Sequence, residues 1–258
     1  MNSKNGLKPK YFLSILLRSF LIQNVWNYQS YLSIGFCFCL VPIAKKLMHS
    51  KEDLTQFFNR HLNFFNAHPY FASYAIGAIS KVEEELLIEN DQELSKVERL
   101  KNALVGPLGA VGDQLFWANI KPTCLILGIL GLWMIENIVA QVVLLLVIFL
   151  LYNIPHLYVR ILGLQEGYRL GFQVYKILNL NHFTLLKKTY GAIGAIALGV
   201  IIGTAFIKLG EATVPHVAVF IISILSAYVF WKWKQNYYGS ILFPLLMAIV
   251  LGIIIESI

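Results

Sequence analysis

The run TCLILGILGLWMIENIVAQVVLLLVIFLL, residues 123–151, constrains this chain more than any other stretch. It is long enough to cross a hydrocarbon layer of roughly 30 Å, and a soluble domain has no place for it. The rest of the chain agrees: of 258 residues, 57% are hydrophobic and 14% charged, with a mean hydropathy of +0.65. A soluble domain carries about 25% charged residues. Three further runs, 191–207, 215–231 and 240–255, approach the roughly 17-residue minimum for a spanning helix. The reading is an all-α integral membrane protein with about four transmembrane helices in its C-terminal half.

Lysine and arginine orient those spans. Residues 152–190 hold Arg160, Arg169, Lys176, Lys187 and Lys188 against Glu166 alone, which marks a cytoplasmic loop. Lys232 and Lys234 mark the next inner turn, leaving the final ESI outside. The net charge of +7 comes from residues scattered at membrane edges, so it argues for anchoring and against nucleic acid. At the other end, Lys4, Lys8 and Lys10 before YFLSILL imitate a signal peptide, but Arg18 interrupts it. No small-residue cleavage site follows, and a retained, cytoplasmic N-terminus is expected. Cys37, Cys39 and Cys124 sit in apolar runs without metal-ligand spacing, so neither metal nor cofactor is expected.

The N-terminal half offers shorter pieces. YLSIGFCFCLVPIA (31–44), ended by Pro42, Lys45 and Lys46, and FFNAHPYFASYAIGAI (64–79) are short and broken. They read either as re-entrant segments lining a transport site or as amphipathic helices on the membrane surface. KVEEELLIENDQELSKVERLKNAL (81–104) is charged, with Leu87, Leu94, Val97 and Leu104 on one stripe and i,i+3 pairs Glu93–Lys96 and Glu98–Lys101. It predicts a helix with one wet face, while Glu83 and Glu84 fall at its apolar edge. In GPLGAVGDQLFW (106–117), Gly106, Gly109 and Gly112 with Pro107 predict a hinge. Asp113 then stands where the next helix begins, either capping it or bonding a ligand hydroxyl. The G-K-[ST] ending of a phosphate-cradling loop is absent.

RSFLIQNVWNYQS (18–30) brings Gln23 and Asn27 onto one helical face beside Trp26. Amides match sugar hydroxyls and an indole matches the sugar's C–H face; the competing reading is interhelical glue. NRHLNFFNAHP (59–69) adds Asn63, Asn66 and His68, the histidine being a ligand group or a hydrogen-bonded structural one. Glu136 and Asn137, midway along the 123–151 run, are costly in lipid and read as contact with a companion subunit. Neither G-x-S-x-G nor H-E-x-x-H occurs, so no catalytic residue is assigned.

Four ordered stretches, LLRSFLIQNVWNYQSYLSIGF, HLNFFNAHPYFASYAIGAISKVEEE, GPLGAVGDQLFW and YNIPHLYVRILGLQEGYRLG, together resemble the membrane IID component of mannose-family phosphotransferase systems (the mannose, fructose, sorbose and N-acetylgalactosamine group). The resemblance implies one IID membrane domain over residues 1–258, with an amphipathic and re-entrant half (1–122) and a transmembrane half (123–258). It implies a non-phosphorylated subunit of a bacterial inner-membrane sugar permease, hetero-oligomeric with a IIC partner. Soluble IIA and IIB proteins would relay phosphate from phosphoenolpyruvate through HPr, and IIB would phosphorylate a hexose or amino sugar inside the cell. The expected sugar-facing residues are Gln23, Trp26, Asn27, Asn66, His68, Glu84 and Asp113. The glycines at 106, 109 and 112 would permit motion, and Arg160, Arg169, Lys187 and Lys188 would receive IIB, unless they are plain positive-inside anchors touching membrane lipid. Gln114 departs from the family, which usually has Pro after the Asp. Two alternatives stand beside this: an autonomous secondary sugar transporter, and a structural subunit without sugar contact.

Overall fold

The computed structural model describes residues 7–89, 95–178 and 182–210, with isolated residues between 221 and 251. Two compact units divide the chain, Met1–Ala197 and Leu198–Ile258. The expected spans at 215–231 and 240–255 fall largely outside the described residues. Among those described there is no strand; the named helices are α1 (Pro9–Ser19), α2 (Ser33–Leu47), α3 (Lys51–His61), α4 (Ala72–Glu89), α5 (Ser95–Gly112), α6 (Lys121–Met134), α7 (Ile138–Leu170), α8 (Tyr175–Leu178) and α9 (His182–Gly210). A π-helical stretch, Asp113–Ile120, joins α5 to α6, and a 3₁₀ turn, Gly171–Val174, follows α7. Among the described residues three helices are long and apolar enough to cross a membrane: Ser95–Met134, Ile138–Val174 and Phe183–Thr204.

The short apolar runs of the N-terminal half become α2 and α4, and both are built into the protein's own interior. α2 continues through Pro42 to Leu47, so that proline does not end it. α4 is buried on every side through its first turns, with Tyr74, Ala75, Ile76, Ala78 and Ile79 at 0% exposure. A helix that is apolar all round belongs in a core. Its main partner is the second half of α7. Gly163 lies against Ser73 and Tyr74, Gly167 against Tyr74 and Ala78, and Gly171 against Lys81 and Val82, so the two helices run parallel. Glycines four apart lie along one stripe, and Gly167, with Gly77 opposite it on α4, lets the backbones touch, which is how helices pack when lipid removes the hydrophobic drive.

Of the expected helix over 81–104, the described residues are the end of α4 and the start of α5, with 90–94 outside the description. Among its described charges Lys81, Glu83 and Lys101 are buried, while Glu98 and Arg99 do lie on a wet face. Lys101 is 1% exposed and its ammonium donates to the carbonyls of His61 (2.9 Å) and Asn63 (2.6 Å), closing the C-terminal end of α3. Glu83 is equally buried, accepting from both guanidinium nitrogens of Arg60 at 2.6–2.7 Å and bonding His61 Nε2 at 2.8 Å.

The 123–151 run is likewise not one span. It breaks at Ile135–Asn137, where the Asn137 side chain accepts from Ala140 N (3.1 Å) and caps α7. Gly128 faces Ile148 and Gly131 faces Leu144, so α6 and α7 form an antiparallel hairpin. Asn137 supplies the acceptor that an open helix start needs, which accounts for a polar residue amid hydrocarbon. The stretch 152–190 is accordingly the second half of α7 followed by α8 and the start of α9, with residues 179–181 outside the description, rather than a broad loop.

The glycine hinge is wound into helix. Residues 95–134 run helically without interruption, through Pro107 and the glycines. Asp113 is therefore the first residue of the π stretch, inside a helix and not at its cap. Gly112 has a packing reason, because a Cβ there would strike the His68 ring, whereas Gly106 and Gly109 have open space around them.

Candidate functional site

Two loops and the π stretch enclose a cleft of about 200 Å³ lined by Gln23, Trp26, Leu32, Asn66, Ala67, His68, Pro69, Gly109, Asp113 and Trp117. The first loop follows α1. Asn27 folds it, its Oδ1 accepting from the backbone N–H of Gln29 (3.0 Å) and Ser30 (2.8 Å), a local turn that this residue type favours. The second loop, between α3 and α4, is stitched to the first by Leu32 N–H to Phe65 O (2.9 Å) and Phe65 N–H to Ser30 O (3.4 Å). Tyr31, at the junction, is held at φ 58°. A non-glycine residue there carries strain that only surrounding contacts sustain, and its ring is edge-packed on Trp26 (5.7 Å) and Phe64 (5.4 Å).

The third wall is the π stretch. It is eight residues long, and such wide turns are frequent at functional sites. The Asn119 amide donates to the Gln114 carbonyl at 2.6 Å, and Gln114 Oε1 accepts from Lys187 Nζ at 3.1 Å. Asp113 and Trp117, four apart, both face the cleft, and Lys121 Nζ sits 4.7 Å from the centre of the Trp117 ring.

His68 forms the floor. It is 3% exposed, its Nδ1 accepts from Tyr70 N–H (3.3 Å), and its ring stacks on Phe116 at 5.3 Å. Burial first, then the charges of Arg160 and His156, push its pKa down to about 3, so the imidazole is neutral. Beyond it lies a polar stripe on α7. Tyr152, His156 and Arg160 follow at intervals of four and share one helical face; Tyr70 and Tyr152 hydroxyls meet at 2.7 Å.

The cleft thus gathers Gln23, Trp26, Asn66, His68 and Asp113 from the expected set, with Gly109 of the hinge. Asn27 and Glu84 are elsewhere. Asn27 spends its amide on its own loop, and Glu84 is paired with Lys46 at 2.6 Å and accepts from the Tyr168 hydroxyl. Of the four cations expected to receive a soluble partner, Arg160 is 3% exposed and bonded inside the protein. Arg169 is exposed beside Glu166, Lys187 is held by Gln114, and Lys188 is exposed. Trp117 was not singled out as a site residue by sequence reasoning, although a residue four past Asp113 in a helix shares its face. The alternation Gly163, Gly167, Gly171 was equally readable.

Among the described residues no group of three His, Cys, Asp or Glu side chains could hold a metal. Chemically, the cleft offers neutral amides, one carboxylate, and indole faces on two walls, a set suited to hydroxyl groups and a C–H surface.

Comparison with known proteins gives the family of the whole chain. The family profile described as PTS system mannose/fructose/sorbose family IID component matches residues 6–216. The mannose-specific EIID component of Escherichia coli K12 is 30% identical over 189 residues, 73% of this chain; the chain spans 65% of that relative's length. The fructose permease IID component of Bacillus subtilis 168 is 27% identical over 202 residues, covering 78% of this chain and 72% of that protein. Among solved structures, one described as a membrane protein is similar with a TM-score of 0.66 at 28% identity, over 77% of this chain and 71% of its own. A complex of the mannose transporter ManYZ with microcin E492 contains a chain similar with a TM-score of 0.58 at 30% identity, over 76% of this chain and 70% of its own. With a match across more than three quarters of its length and a shared helical fold, the chain belongs to the mannose/fructose/sorbose family of phosphotransferase-system IID membrane components.

Proposed function

We propose that this chain, together with a IIC membrane partner, binds and translocates a hexose or amino sugar that a IIB protein phosphorylates on the cytoplasmic side, with IIA and HPr supplying phosphate from phosphoenolpyruvate. The chain itself performs no phosphoryl transfer in this scheme; it forms part of the path in the bacterial inner membrane, its N-terminus inside and its C-terminus outside. The observation that supports sugar contact is the convergence of Gln23, Asn66 and Asp113 with the indoles of Trp26 and Trp117 around one cleft. Support for membrane company comes from the α6–α7 hairpin, where Leu125, Val142, Leu146, Phe149 and Ile154 are 51–64% exposed; a contiguous apolar face of that kind meets lipid or another subunit. Arg169 and Lys188 are the exposed cations offered to IIB.

The test co-expresses this chain with its IIC partner in membrane vesicles and follows phosphoenolpyruvate-dependent uptake of mannose, fructose, sorbose and N-acetylgalactosamine. One sugar is expected to need the chain. Gln23→Ala, Asn66→Ala and Asp113→Asn are each expected to raise its KM roughly tenfold or more, a buried polar contact to substrate being lost, while the complex still assembles. Lost assembly with any of the three would instead favour a scaffold. Accumulation by the chain alone, without phosphoenolpyruvate, would make it an autonomous transporter.

A further inference from the structure

Arg160, on α7, is 3% exposed, and its guanidinium bonds neutral groups. One terminal nitrogen donates to the Ser19 carbonyl and to the Ser19 hydroxyl (3.0 Å), and Nε donates to His156 Nε2 at 2.7 Å. Its plane lies over two rings, 4.9 Å from the centre of Phe20 and 5.0 Å from that of Tyr70. Those partners are not arbitrary. Ser19 ends α1, and the loop carrying Gln23 and Trp26 leaves from Phe20; Tyr70 follows His68 and Pro69 of the second loop. His156 packs on Tyr70 with ring centres 3.9 Å apart.

Among the described residues no carboxylate is bonded to Arg160. Burying a cation without one is costly, and an apolar side chain would fill the same volume without that cost. Packing alone therefore does not explain an arginine here. A planar fork that can bond two separated acceptors while stacking on aromatic faces does, and lysine lacks that geometry.

We infer that Arg160 is a positioning residue for the cleft: it ties the start of the first cleft loop and the end of the second to the Tyr152–His156–Arg160 stripe of α7, so that the amides, carboxylate and indoles keep the spacing a sugar requires. The inference rests on the sugar-binding reading of the cleft. It gives α7 a direct mechanical link to both loops, and a shift of that helix changes the cleft without touching its lining residues.

The experiment uses the full chain with its IIC partner in vesicles and the panel sugar taken up fastest. Arg160→Lys keeps the charge but loses the fork. It is expected to raise KM roughly tenfold, misplacement of binding groups by about 1 Å being enough for such losses, with maximal uptake per assembled complex within about twofold. Combined with Gln23→Ala, the KM effects should fall short of multiplying, because the loop that carries Gln23 is already displaced. Spin labels at Tyr28 and Leu157 should report a broader distance distribution in Arg160→Lys than in the wild-type chain. If Arg160→Lys fails to assemble, Ser19→Ala, which removes one acceptor and leaves the arginine, is read by the same criteria. An unchanged KM, or an unchanged distance distribution, while Gln23→Ala alone raises KM overturns the inference and leaves the sugar cleft standing. If Gln23→Ala and Asp113→Asn also leave KM unchanged, the sugar-cleft reading itself falls, and the role of Arg160 with it.

Discussion

The two halves of α7 both carry valines and leucines, and those side chains meet different surroundings. Beside α4, Val159 is fully buried and Leu164 nearly so, while in the hairpin with α6 Val142 and Leu146 are 51% and 58% exposed. Residue type at those four positions does not separate the two. Glycine does: at Gly167 of α7 and Gly77 of α4 the two helices meet backbone to backbone, whereas where α6 offers Gly128 and Gly131, α7 answers with the side chains of Ile148 and Leu144. The lesson is that in a chain this apolar, the small residues say where protein touches protein.

One pair of substitutions would break that comparison most sharply. Gly167→Ala pushes a methyl group into the Tyr74 carbonyl and Ala78 N–H of α4, and backbone cannot step aside cheaply; a loss of about 2–3 kcal/mol is expected. Gly131→Ala meets only the end of the Leu144 side chain, which can rotate, and the gain in helix propensity of about 1 kcal/mol should leave stability nearly unchanged. Unfolding of both variants in detergent decides it: equal losses would mean that the two contacts are alike.

A weaker, graded effect follows from acidity, because the packed side holds buried titratable groups in Glu83, Lys101 and His61. Burial raises the pKa of Glu83, but hydrogen bonds from Arg60 and His61 more than offset this and hold it below its ordinary 4.5. Burial lowers His61 below 6.5, against the pull of Glu83 and with the help of Arg60 and Lys101. A depressed carboxylate stabilises the fold above its unfolded pKa, and that contribution is lost as pH falls through the folded one. A depressed histidine works in the same direction, since below 6.5 the unfolded chain takes up a proton that the folded chain refuses. Melting temperature should therefore fall on acidification from about pH 6.5 downward, and a flat profile to pH 4.5 would show that the cluster contributes nothing.

The cleft was largely legible because its chemistry lies in residue types that are rare in hydrocarbon. Gln23, Trp26, Asn66, His68 and Asp113 stand out in any apolar sequence, and the structure brings them to one place. Asn27 stood out equally and folds its own loop instead, since an asparagine that bonds backbone two and three residues on leaves little for a ligand. Loop and helix boundaries were harder. The break at Glu136–Asn137 was masked by unbroken hydrocarbon on both sides, and the supposed hinge read as a break although its glycines continue a helix. Arg160 was misjudged because a count of charges along the chain cannot tell an anchoring arginine from a buried one; only its bonds to Ser19, 141 residues earlier, do so.

Lys101 reaches back in the same way, and its reach has a consequence in time. The carbonyl of His61 is made 40 residues before the ammonium that satisfies it. At synthesis rates of about 5–20 residues per second, the end of α3 waits roughly two to eight seconds for its partner. During that interval the acceptors of His61 and Asn63 have only water or headgroups to bond, so α3 can settle only after α5 has been made. The end of α3 is therefore closed from behind, by a single lysine of a helix made later.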